Sequence, residues 1–341
     1  MTARLAEADL IRTIARLAGG QRRGVLVGIG DDGAVLEPSS GTRLIVTTDL
    51  LLEDVHFRRR YAGPADIGWK SLAVNLSDIA AMGAVPRWAV VALACPEDGR
   101  ADDVEAFYEG ALGLASAHDV AIVGGDTSAS PAGWIINVTL LGEAMSAPLL
   151  RSGARPGDLL AVTGPLGRAA AGLAVLESGH ADRVGAGTLA AVTGAHLRPR
   201  PRTAEGVWLG ATGDVSAMMD VSDGLATDLP RLAEASRTGA RVDVSRVPVD
   251  EATQACAHAL GVDALAWATG GGEDYELLLT CAPDRFDRLA KGLAALTGAR
   301  LTAIGEMTAA PGVRYVDADG RDVAVAPGFE HFAGRGGRER D

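Results

Sequence analysis

Lysine is nearly absent from this 341-residue chain: Lys70 and Lys291 are the only two among 32 basic residues. A phosphate loop of the form GxxxxGK[ST] needs a lysine behind its glycines, and no such segment occurs, so P-loop chemistry is excluded. Cysteine is also scarce. Cys95, Cys256 and Cys281 stand far apart and outside CxxC spacing, which argues against a disulfide framework or zinc site and fits a reducing cytosol. None of the six histidines lies in a GxSxG setting, which disfavours Ser-His-Asp hydrolysis. Long apolar runs are missing. The longest, Trp88 to Cys95, is too short to cross a bilayer, and the early acids Glu7 and Asp9 leave no h-region for a signal peptide. Positive charge is in deficit, 32 basic against 44 acidic residues for a net charge of −12, so a broad basic face for nucleic acid is excluded. A cytoplasmic protein is expected. An acidic chain can still handle phosphates when metal ions stand between its carboxylates and the ligand.

What is present is a large apolar fraction, 48% of residues, which excludes disorder over most of the length. Leu10, Ile14 and Leu17 recur at helical spacing, and Gly19-Gly20 ends that helix. Short strands are expected at Val25–Val27 and from Arg43 to Val46, the second delivering Thr47, Thr48 and Asp49 at its C-terminal end. Pro64 opens a helix closed by Gly83, Trp88–Cys95 reads as a buried strand, and Asp102 with Glu105 suggests a capping box. A polar, turn-rich segment, RSGARPGD at 151–158, restarts the pattern. Two α/β domains are expected, 1–148 and 149–335, with a frayed tail GRGGRERD. NLSD (75–78) and GGD (124–126), then DVSD (220–223) and GGGED (270–274), hint at related halves.

GIGDDG at 28–33 formally matches GxGxxG, but AVLEPSSG follows, with Pro38 and Gly41 where a Rossmann helix should begin. Asp31 and Asp32 would also oppose a pyrophosphate, so a dinucleotide site is disfavoured. More telling are acids at element ends: Asp32 after a glycine turn, then Asp49, Asp126 and Asp220 ending strands. Asp78 shares one helical stripe with Ser71 and Asn75, either a ligand face or a solvated one. Hard oxygen donors without His or Cys suit Mg²⁺, and the glycines at 124–125 and 270–272 would let backbone N–H groups approach phosphate. The set fits metal-assisted phosphoryl transfer. His56 follows the Thr-Thr-Asp segment closely, as a site residue or as an ordinary loop histidine.

Taken together, GIGDDGAVL (28–36), TTDLLLEDVHF (47–57), NLSDIAAMGA (75–84), GGDTS (124–128), RSGARPGD (151–158), DVSDGLATDL (220–229) and GGGEDYEL (270–277) resemble, in order, the thiamine-monophosphate kinase family. The ending PGFEHF (327–332) is similar as well. That family lies in the superfamily of aminoimidazole ribonucleotide synthetase. The resemblance implies a two-domain PurM-like α/β (α+β) fold, in which an N-terminal mixed sheet with helices pairs in a homodimer and a C-terminal α/β domain completes the site. It implies Mg²⁺ on Asp32, Thr47, Thr48, Asp49, Asp78, Asp126, Asp220 and Asp223, and ATP on Tyr108, Gly125, Arg151 and Ser222. Thiamine phosphate would meet His56, Glu273 and Phe329. The nearest rivals are other ATP-using enzymes of the superfamily. Selenophosphate synthetase would want a reactive Cys or selenocysteine and a Lys near the N-terminus, yet the first cysteine here is Cys95 and the first lysine Lys70. A non-catalytic nucleotide-binding module is disfavoured by the full carboxylate set.

Overall fold

The computed structural model describes residues 7–19, 22–30 and 32–330. Gly20, Asp31, the end of the PGFEHF segment and the GRGGRERD tail therefore lie outside the described residues.

The first half runs α1 (Glu7–Ala18), β1 (Val25–Val27), β2 (Val35–Leu36), β3 (Arg43–Leu52), α2 (Pro64–Ala81), β4 (Val85–Pro96), α3 (Ala101–Ala117), β5 (Ala121–Ser130) and β6 (Ile135–Ala144). Its four long strands form a mixed sheet in the order β3-β6-β4-β5, parallel only between β4 and β5. Alternation along these strands separates two faces. Val91, Leu93, Ile136 and Val138 turn toward α2 and α3 and build the first core with them. The two helices approach closely because glycines meet backbone: a Cβ on Gly68 would collide with the Phe107 carbonyl, and one on Gly110 with Ala65. On the other face, the β1–β2 ribbon covers one end by packing Val25 and Leu36 against Trp88. Leu44, Val46 and Leu50 of β3 remain exposed beyond it.

The second half contains β7 (Leu159–Val162), α4 (Arg168–Ser178), α5 (Ala186–Leu197), α6 (Thr203–Thr212), β8 (Val215–Asp220), α7 (Leu225–Ala235) and β9 (Gly239–Asp243). It continues with α8 (Glu251–Leu260), α9 (Ala264–Gly270), β10 (Leu277–Cys281), α10 (Pro283–Thr297), β11 (Thr302–Thr308) and β12 (Gly312–Val316). Six strands form one sheet, β12-β9-β11-β7-β10-β8, antiparallel except at its β12–β9 edge. Leu225, Leu229 and Leu232 of α7 cover one face, while Leu209 of α6 and Leu289 and Leu293 of α10 cover the other. Ala80 and Ala81 from the end of α2 join that second cluster, so α2 is packed into both halves. Thirteen of its 18 residues are buried.

Several sequence expectations change. β3 does not stop at Val46 but runs to Leu52, because β6 pairs with it residue for residue from Arg43 to Leu52. Thr47, Thr48 and Asp49 are therefore mid-strand. β5 likewise continues through Asp126 to Ser130 along β4. Asp102 does not cap α3: Arg100 stands at the N-cap without a side-chain bond, and Asp102 pairs with its guanidinium at 3.0 Å. The suggested likeness of the halves fails at the level of elements, since NLSD lies within α2 whereas DVSD begins at the end of β8.

Candidate active site

The site grows from α2. Asp78 leaves this helix toward β3, where the Thr47 hydroxyl donates to its Oδ2. One residue earlier, Ser77 Oγ donates to Oδ2 of Asp220 at 2.6 Å, across to the end of β8. Asp49 shares a β3 face with Thr47 and completes a group of three carboxylates in a confined space. Burial first, and the charge of Asp78 second, push Asp49 up to about 7. Burial and then Asp78 push Asp220 up to about 8, with smaller contributions from Asp228 and Asp49, against the Ser77 hydrogen bond. Burial raises Asp78 as well, opposed by the Thr47 bond and by the positive charge of Arg151. These acids resist ionising together, so a bound cation would stabilise their charged forms. Oxygen-only donors with a threonine hydroxyl alongside suit Mg²⁺. Among the described residues, however, no three acidic, histidine or cysteine groups already close into a cation cage.

The other predicted ligands are dispersed. Register puts Asp126 beside Ala92 and Asn137, in the row of Leu50, on the open face of the sheet. Thr48 lies on that same face, bonded to Asn137 and Thr139, so both point away from Asp49. Asp32 is exposed in the loop before β2. Asp223 sits 2.6 Å from Arg231. Of the stripe 71–75–78, only Asp78 reaches the site: Ser71 and Asn75 are buried and donate to backbone carbonyls of Ile67 and Ser71 within α2.

Of the residues expected near ATP, Arg151 is exposed beside β8 with its charge acting on Asp78. Gly125 lies on the α2 face of β5, opposite Val91. Ser222 follows β8, and its N–H and that of Asp223 both donate to Oδ2 of Asp228, at 3.0 and 2.9 Å. Tyr108 is 2% exposed in the first core, edge-on to Phe107 at 5.3 Å, and the described contacts do not bring it to the carboxylates.

The residues expected near thiamine phosphate form a second cluster. The turn after β3 brings His56 back so that its Nδ1 accepts the Leu52 N–H at 3.0 Å. Its carbonyl accepts from Lys70 Nζ of α2 at 3.2 Å, and the same ammonium lies 2.6 Å from Glu273 Oε1. His196, at the end of α5, places Nδ1 3.0 Å from the other oxygen of Glu273, off the direction of a well-aligned hydrogen bond. Burial opposes the charge on Glu273, but Lys70 and then His196 outweigh it and hold the carboxyl down at about 2. Phe329 is 46% exposed, and its N–H donates to the Asp223 carbonyl at 2.9 Å.

The glycines of GGGED do not form an open cradle. Gly270 abuts the 326–327 backbone, Gly271 abuts Trp267, and Gly272 abuts Ser222, so they permit three chain segments to pack. Glu273 and Tyr275 next to them take left-handed φ values of +69° and +51°. Such non-glycine conformations cost about 1–3 kcal/mol each and concentrate at functional sites. Buried Tyr275 feels the charges of Glu273, Asp49, Asp220 and Asp78, which places it between the two clusters.

Sequence reasoning passed over Ser77, Lys70, His196, Asp228 and Tyr275. Ser77 and Lys70 carried a signal: they are polar residues seven apart on one side of a helix, with apolar Ala73 and Val74 between them on that side.

The two lobes are the two domains of the AIR synthase related proteins. Their N-terminal domain model matches residues 30–144 and their C-terminal domain model residues 155–317. The thiamine-monophosphate kinase of Escherichia coli K12 is 39% identical over 316 residues, covering 92% of this chain and 94% of that protein. The Bacillus subtilis enzyme of the same name is 38% identical over 271 residues, or 79% and 82% of the two chains. Within the broader class, this chain belongs to the thiamine-monophosphate kinase family. The crystal structure of the Stenotrophomonas maltophilia family member superposes with a TM-score of 0.81 at 38% identity, covering 95% of this chain and all of that one. AaThiL complexed with AMPPCP and TMP gives 0.77 at 32%, covering 97% and 100%.

Proposed function

We propose that this chain transfers the γ-phosphoryl group of ATP to thiamine phosphate, giving thiamine diphosphate and ADP. The observation that carries the reading is the group Asp49, Asp78 and Asp220, three acids from β3, α2 and β8 with mutually opposed ionisation. Family membership agrees with it, and AaThiL has been solved with AMPPCP and TMP. The acceptor is a phosphate monoester with a second pKa of roughly 6, largely dianionic already, so no strong general base is required. The demand is to bring two polyanions together in line. When bound, Mg²⁺ supplies the charge neutralisation for that approach.

In this reading Asp49, Asp78 and Asp220 hold the cation, with Thr47 orienting Asp78 and Ser77 orienting Asp220. Asp32, Thr48, Asp126 and Asp223 are proposed as further Mg²⁺ ligands, and Tyr108, Gly125, Arg151 and Ser222 as ATP contacts, on the strength of the family motifs they match. His56, Glu273 and Phe329 would contact thiamine phosphate, the carboxylate of Glu273 accepting from the aminopyrimidine. We place the domain boundary at 148/149. We read the protein as a cytoplasmic homodimer joined through the open sheet face bearing Leu44, Val46 and Leu50. Among the described residues, no helix is long and apolar enough to cross a membrane. The test is incubation with ATP, Mg²⁺ and thiamine phosphate. Thiamine diphosphate should form, with little turnover of free thiamine. Equal turnover of free thiamine would overturn the assignment.

A further inference from the structure

Lys70 has no part in the motifs that define the site, yet its side chain is only 3% exposed. Burying an ammonium costs several kcal/mol unless it is paired and hydrogen-bonded. Here its two partners come from different halves of the molecule: Glu273 Oε1 at 2.6 Å, from the loop ahead of β10, and the His56 carbonyl at 3.2 Å, from the turn after β3. Glu273 is a poor candidate for holding itself in place. It lies outside any helix or strand, its φ is +69°, and its N–H donates to the Ser222 carbonyl at 2.7 Å. The side chain of a residue on so strained a loop keeps one geometry only when its surroundings over-determine it. Lys70 supplies that from a helix packed into both halves, while His196 faces the second oxygen at 3.0 Å.

We propose that Lys70 is a positioning residue for thiamine phosphate recognition, fixing the Glu273 carboxylate and the His56 turn relative to each other across the two halves. This rests on the substrate reading above. It makes α2 part of the binding pocket as well as of the carboxylate cluster, and it explains why a buried lysine persists in a chain otherwise almost without lysine.

The experiment compares KM for thiamine phosphate, KM for ATP and kcat in the full-length enzyme and its Lys70→Met, Lys70→Arg, Glu273→Gln and Lys70→Met/Glu273→Gln variants. Lys70→Met is expected to raise KM for thiamine phosphate roughly tenfold while KM for ATP stays within about twofold. Lys70→Arg should recover most of the loss. In the Glu273→Gln background, Lys70→Met should add less than about twofold, because the two residues act as one unit. Equal rises in both KM values, or a full further tenfold rise in that background, would overturn the proposal. If Lys70→Met does not fold, the double variant, which lacks both charges, is compared with Glu273→Gln alone, and Lys70→Arg with the wild type, under the same criteria. A wild-type enzyme inactive on thiamine phosphate would refute the substrate reading instead. Amide exchange across 270–276 then decides the positioning role: faster exchange than in the wild type in Lys70→Met, or in the double variant where Lys70→Met does not fold, supports it, and unchanged exchange overturns it.

Discussion

Ser77 Oγ donates to Asp220 Oδ2 at 2.6 Å, so a helix of the first half orients the carboxylate that ends a strand of the second. The bond ties the most deeply buried acid of the cluster to α2.

Without a divalent cation, folding should be destabilised by alkali. Asp49 and Asp220 are raised from an ordinary 3.8 to about 7 and about 8. The folded state therefore binds protons more tightly than the unfolded chain. The stability these groups contribute is complete below the ordinary value and is lost as pH rises through about 7 and about 8. Tm should fall between about pH 4 and 8 in chelator, levelling off above, and added Mg²⁺ should reverse the fall with release of protons. A Tm with the same pH profile in Mg²⁺ and in chelator would remove these acids from cation binding.

Asp49→Asn should lower kcat by roughly 100-fold or more, about 3 kcal/mol of transition-state stabilisation. Its metal-free Tm near pH 8 should be unchanged or higher, since a repelling charge is gone. Near-normal turnover at saturating Mg²⁺ would mark Asp49 as a structural strand residue.

Asp228 braces the loop after β8 by accepting from two backbone N–H groups and pairing with Arg231 at 2.9 Å, and it is fully buried. Asp228→Ala leaves those donors without an acceptor and should cost on the order of 2–4 kcal/mol in urea unfolding. Asp228→Asn should cost less, because an amide oxygen can still accept from both. Equal losses in the two variants would assign the effect to the Arg231 pair.

Val46 is 61% exposed on the open sheet face. Val46→Glu should convert a dimer to a monomer in sedimentation velocity while changing monomer stability by no more than about 0.5 kcal/mol. A monomeric wild type, or a variant that still dimerises, would remove this face from the interface.

The sequence was legible where the chain obeys local rules. Pro64 and Gly83 bracket α2, observed over Pro64–Ala81. The expectation that no Rossmann helix follows GIGDDG holds as well, since the segment after it forms β2. Strand ends were not legible: β3 and β5 run on through Thr, Asp and Gly because a neighbouring strand supplies hydrogen bonds that local propensity does not foresee. Motif matching found Asp49, Asp78 and Asp220, which the fold brings together. It also gathered Asp126 and Thr48, which a period of two sends to the opposite face from Asp49. Lys70 and His196 escaped notice because their partner Glu273 comes from a distant segment, and Asp228 because its bonds to the 222–223 backbone exist only once that loop is turned.

α2 also acts as a ruler. Lys70 and Ser77 are seven residues apart, two turns along one side, so the backbone positions from which they reach Glu273 and Asp220 are about 10 Å apart at a rise of 1.5 Å per residue. That interval separates the anchor of the carboxylate that would recognise a base from the anchor of a carboxylate that would handle phosphates. It is fixed by backbone geometry instead of by loops. One residue inserted between 70 and 77 would rotate the two ends by about 100° relative to each other and lengthen the gauge. The spacing of those two reaches is thus set by a rod embedded in both lobes.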